Sequence, residues 1–197
     1  VIFKHHVYLG EVGGELLVFG GRNQSGATDR IHTLRQENFT ENVDSLPVRL
    51  YGHCVVNYPF GGKKVYIIGG YHGRVDENSG ISSDVWLMDY SKLPPETVLL
   101  NSLKTPRMEH MCGFLDTTTD GVFEGKIIVA GGFDGTNSLD SIEIFDIRNN
   151  TDYNQWNTSS SSLNQAIHGG TMVSKSTELK IIGGKSIGRG FTKKVTT

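Results

Sequence analysis

The sequence predicts an all-β fold assembled from repeated four-stranded sheets. Three observations point there: an excess of glycine, its regular placement behind apolar runs, and alternating strands that keep step with it. Glycine accounts for 25 of 197 residues, about 13% against a usual value near 7%. Proline, at 5 residues, is too scarce for a disordered Pro/Gly chain, and no Gly-X-Y period suggests collagen. Apolar residues at 37% and charged residues at 20% suffice for a packed core. The formal charge of −2 gives no electrostatic case for nucleic acid or an anionic membrane. No apolar run approaches the roughly 18 residues of a membrane helix.

The elements follow in order from the glycines. Gly20-Gly21, Gly69-Gly70, Gly131-Gly132 and Gly183-Gly184 each close an apolar run, at intervals of 49, 62 and 52 residues. Short β-branched runs ending in Gly-Gly read as buried strands that stop at a turn needing positive φ or close backbone approach. After the doublets come alternating strands, Ile31 to Leu34, Val85 to Tyr90 and Ile142 to Ile147. Fourth strands start near Phe39, Val98 and Trp156, and first strands near Arg49, Arg107 and Asn164. Four antiparallel strands per period of about 50 residues describe the blade of a propeller.

The run Gly131-Gly132-Phe133-Asp134-Gly135-Thr136-Asn137-Ser138-Leu139-Asp140-Ser141-Ile142-Glu143-Ile144-Phe145-Asp146, with Trp156 after it, resembles a kelch repeat. Arg49-Leu50-Tyr51-Gly52-His53 and Pro106-Arg107 are similar to that family's repeat openings. Leu34-Arg35 and Val98 depart from the pattern, which expects an aromatic-Asp ending and a tryptophan there. The expected fold is a kelch-type β-propeller with three complete blades and half of a fourth. The blades are assigned to residues 1–48, 49–106, 107–163 and 164–197. On this phasing the chain starts at a blade's first strand, near Lys4, His5 and His6. It ends before a third strand can be placed in the fourth blade, so further blades are expected outside it.

Motifs that carry chemistry are few. Cys54 and Cys112 read as equivalent positions of neighbouring blades, too far apart for a bridge, and as small buried residues. His53 and His168 read as one repeat position, with Met111 in place of His110, and are taken as supports of the turn between blades. Gly183-Gly184-Lys185-Ser186 ends like a phosphate loop, but Leu179 stands where the pattern needs glycine. No metal site and no cofactor are expected, and no catalytic residue is assigned. Sequons begin at Asn23, Asn38, Asn149 and Asn157, against about two expected by chance. Thr158 to Ser162 reads as a solvated loop.

Function is therefore sought in the turns. Loops after the doublets (Arg22 to Thr28, Tyr71 to Ser83, Phe133 to Ser138) and between blades fall on one face of such a scaffold. Aromatic and arginine side chains anchor interfaces, so Arg22, Arg49, Tyr71, Arg74, Arg107 and Phe133 are the candidate partner-binding residues. For Arg49 and Arg107 a structural role is the competing explanation. The resemblance implies a non-catalytic protein–protein interaction module, a scaffold or substrate adaptor whose partner is a protein. Two other classes stay open: an extracellular adhesion or receptor segment, and a copper enzyme of the galactose-oxidase kind. The resemblance favours the cytoplasm, whereas the sequons suggest the exterior.

Overall fold

In a computed structural model the structure describes residues 8–12, 14–35, 38–58, 63–73, 80–116, 125–147, 155–175, 177–188, 190–191 and 195–196. The chain divides into two compact units, Val1–Leu100 and Asn101–Thr197. Among the described residues there is no helix, and every pairing between strands is antiparallel. The all-β expectation holds.

The first unit contains β1 (Tyr8–Val12), β2 (Glu15–Phe19), β3 (Arg22–Asn23), β4 (Gly26–Arg35), β5 (Asn38–Tyr51), β6 (Cys54–Asn57), β7 (Lys64–His72), β8 (Gly80–Asp89) and β9 (Glu96–Leu100). Its sheet runs β1-β2-β4-β5-β7-β8-β9, with β3 on β4 and β6 on β7. The long β5 lines β4 and then hands its last two residues to β7, pairing Leu50 with His72 and Tyr51 with Tyr71. One core forms around Leu17, Phe19, Ile31, Leu46, Leu50, Val65, Ile67 and Met88. Val18, Tyr66 and Ile68, the intervening residues of β2 and β7, are buried too. Burial on both faces explains why these strands read as continuous apolar runs rather than alternations.

The second unit contains β10 (Met111–Asp116), β11 (Gly125–Ala130), β12 (Ser141–Asp146) and β13 (Asn157–Ser162), in that order across one sheet. A second sheet holds β14 (His168–Lys175), β15 (Glu178–Ser186), β16 (Gly190–Phe191) and β17 (Val195–Thr196). Met111, Ala130, Ile167 and Ile181 form its core cluster. Trp156 is fully buried, its ring centre 5.2 Å from that of Phe145.

Two sequence expectations change here. Thr158 to Ser162 belongs to β13, paired with β12, not to a loop. Five of its six residues are exposed, so an edge strand made of serine needs only the backbone ladder to form. Residues past Gly184 do supply partners for β15, since β16 and β17 both pair with it.

The strand pairing also resets the repeat register. The residue after each of the last three doublets, Tyr71, Phe133 or Lys185, faces Tyr51, Met108 or His168 across the ladder. The next position, Gly52, Glu109 and Gly169, has positive φ in all three. His53 and His110 are therefore equivalent, and His168 takes the place of Tyr51. Cys54 pairs with Ile68 immediately before its doublet, whereas Cys112 pairs with Val129, one residue further back. The cysteines are thus not equivalent, and both are disulfide-bonded. The expectation of unbridged cysteines is therefore corrected, since neither is a free thiol. Likewise Leu50, not Arg49, holds the place of Arg107.

Candidate functional site

The doublets shape the candidate site. Gly20 has φ +58 and Gly131 has φ +63, conformations that L side chains rarely adopt. A Cβ on either would also lie 2.6 Å from the Leu50 carbonyl oxygen or 2.5 Å from that of Ile167. That close approach lets the second glycine, Gly21 or Gly132, donate its N–H to the same carbonyl at 2.8 Å. Gly69, Gly70, Gly183 and Gly184 repeat the backbone conformation. Each doublet then launches a short hairpin whose first residue is fixed against a neighbouring strand.

In the first unit that residue is Arg22, whose guanidinium carbon stands 5.3 Å from the centre of the Tyr51 ring. Tyr51 in turn lies 5.0 Å from the ring of Tyr71, the residue after the next doublet. Arg22 and its hairpin neighbours through Ser25 are exposed, and Tyr51 and Tyr71 are half-buried. A cation over an exposed ring contributes about 0.5–1 kcal/mol, so the stack orients these groups more than it stabilises the fold. Asn23 Oδ1 accepts from the Ser25 N–H at 2.8 Å and closes the hairpin.

The second unit repeats the arrangement with other residues. Phe133, after its doublet, lies 5.4 Å from the His168 ring. His168 pairs with Lys185, the residue after the following doublet. Glu109, in the left-handed region at φ 51, places its carboxylate 3.6 Å from Lys185 Nζ and 3.9 Å from His168 Nε2. Ser138 Oγ lies 2.9 Å from His168 Nδ1 and accepts from the Ile187 N–H at 3.1 Å. Serine, histidine and glutamate meet, but 3.9 Å is beyond a hydrogen bond, and the hydroxyl is held as a clamp between strands. Asp134 caps the hairpin, accepting from the Asn137 and Thr136 N–H groups at 2.7 and 2.8 Å. Those bonds hold its carboxyl below the usual carboxylate range.

The six sequence candidates separate. Arg22, Tyr71 and Phe133 occupy the post-doublet positions, and Arg22 and Tyr71 share a stack through Tyr51. Arg49 is half-exposed, 4.0 Å from Asp29. Arg74 lies outside the described residues, as do Lys4, His5 and His6. Arg107 is not at the surface: its side chain is 0% exposed. It donates to the Gly131 carbonyl at 2.7 Å, to Ser141 and to Glu143 Oε1 at 2.7 Å. Burial pulls its pKa down and Glu143 opposes that shift. Arg107 is a buried brace, which is the structural role the sequence left open for it.

Sequence pattern does not bring Tyr51, Glu109 and the buried His168 into these clusters. The register of the residue facing each post-doublet position is the signal that finds them. Among the described residues no group of three or more His, Cys, Asp or Glu could hold a metal ion. A cavity of about 280 Å³ in the second unit is lined by Ile128, Ala130, Ile142, Leu163, Met172, Leu179 and Ile181 with Ser161, Ser162 and Asn164, and holds no titratable group.

Comparison with known proteins agrees with the repeat. The family pattern described as Kelch motif matches residues 118–151, which span β11, the Gly131-Gly132 doublet and β12. Over 105 residues, 53% of this chain, the sequence is 34% identical to Kelch-like protein 41a of Danio rerio. The match spans about 15% of that protein's length. With the doublets, the hairpins and the antiparallel sheets, these matches make the chain similar to kelch-repeat proteins, with one Kelch motif at residues 118–151.

Proposed function

We propose that the chain is a non-catalytic protein-interaction module, a scaffold or substrate-recognition part, that binds a partner protein through its post-doublet hairpins. The observation that carries this reading is the exposed Arg22 guanidinium held over Tyr51 beside Tyr71. Rings and guanidinium groups presented rigidly lose little entropy on binding and dominate interface energies. Phe133 stacked on His168 is the second unit's version. Arg49 and Arg74 are flanking contacts in this reading, and buried Arg107 is not a contact. The successive repeats are taken as residues 1–48, 49–106, 107–163 and 164–197. The family resemblance supports interaction in general, and no partner identity follows from it.

Affinity capture with the complete protein tests the reading. Wild-type bait should retain a protein that Arg22→Ala/Tyr71→Ala bait loses, while both baits unfold at the same temperature. Equal capture by both baits would remove these residues from the interface.

A further inference from the structure

We infer that Asn157 carries an N-linked glycan, acquired in an oxidising secretory compartment. Two kinds of observation meet here. The first is placement. Asn157-Thr158-Ser159 opens β13, where Asn157 is exposed. A glycan is bulky and hydrophilic, and the folded chain must leave its asparagine at the surface. Asn157 does so.

β13 adds a reason of its own. It is the edge of the sheet β10-β11-β12-β13, and its sequence, Asn-Thr-Ser-Ser-Ser-Ser, has neither charge nor proline. Those are the devices that normally keep an exposed edge from pairing with another chain. A glycan on the first residue of the strand supplies the missing cover.

The second observation is the oxidation state of Cys54 and Cys112, neither of which is a free thiol. Structural disulfides persist in secreted and luminal proteins and are rare in the cytosol. The compartment that oxidises cysteine is the one in which sequons are glycosylated. In the transfer, Asn157 Nδ2 forms a bond to C1 of an oligosaccharide carried on an isoprenoid pyrophosphate. The C1–O bond breaks, the pyrophosphate leaves with its electron pair, and the amide gives up one proton.

Peptide mapping of the protein isolated from its own organism, alkylated without reductant, provides the test. The expected result is a glycan on the Asn157 peptide, whose asparagine a glycan-cleaving amidase converts to aspartate, and no alkylated cysteine. An unmodified Asn157 peptide, or alkylated Cys54 and Cys112, would overturn the inference. In protein secreted from eukaryotic cells, Asn157→Gln and Ser159→Ala should each remove one glycan's mass, and Ser159→Thr should keep it. Equal masses for all three variants would equally overturn it.

Discussion

Arg107 donates to Glu143 across 2.7 Å with both side chains withdrawn from solvent, at 0% and 1% exposure. The second carboxylate oxygen accepts from the Lys104 N–H at 2.7 Å, and Oε1 also accepts from the Thr105 N–H at 3.1 Å. The pair therefore ties the segment before β10 to β12 and, through the Gly131 carbonyl, to the doublet. Removing one partner leaves an uncompensated buried charge. Glu143→Ala should destabilise the fold by about 3–5 kcal/mol, whereas an apolar pair of similar volume recovers much of that. Urea denaturation of Glu143→Ala and of Arg107→Met/Glu143→Leu checks this, with the double variant expected to be the more stable.

Gly131 and Gly183 separate two costs that a glycine doublet avoids. Both have positive φ, +63 and +73, so alanine costs either about 1–2 kcal/mol in backbone conformation. At Gly131 the new Cβ also meets the Ile167 carbonyl at 2.5 Å, while at Gly183 nothing lies within 4 Å. Gly131→Ala should therefore lower the melting temperature well beyond Gly183→Ala. Equal losses would show that conformation alone explains the doublets.

His53 gives the fold a pH dependence. It is fully buried, and burial lowers its pKa to about 3, opposed by a hydrogen bond with the Phe19 backbone. The unfolded chain titrates near the ordinary value of about 6.5. Above that pH both states are neutral at this site and nothing is lost. Below it the unfolded state takes up a proton that the folded state refuses, so stability falls as pH drops toward 3. Between pH 7 and 5 the loss from this group is about 2 kcal/mol. Chemical denaturation at both pH values should show His53→Gln losing less than the wild type over that interval.

Much of this architecture is legible in the residues, for physical reasons. A doublet that must take positive φ admits little but glycine, and strands buried on both faces read as unbroken apolar runs. Register was harder. Arg49 and Arg107 look like one landmark, yet Leu50 takes the place of Arg107, and a slip of one residue moves a side chain to the opposite face of the sheet. That slip carried the cysteines and histidines with it. β13 was hidden because its serines advertise no burial, and its strand character comes from β12. The Arg22–Tyr51 and Phe133–His168 stacks join residues some thirty positions apart, and local pattern does not announce such contacts.

The central claim is that the hairpin after the doublet presents the binding surface, and affinity for the captured partner tests it most directly. Arg22→Ala and Tyr71→Ala should each raise Kd about tenfold, near 1.4 kcal/mol, as interface anchors do, with melting temperature unchanged. A Kd equal to wild type for both variants would contradict the account.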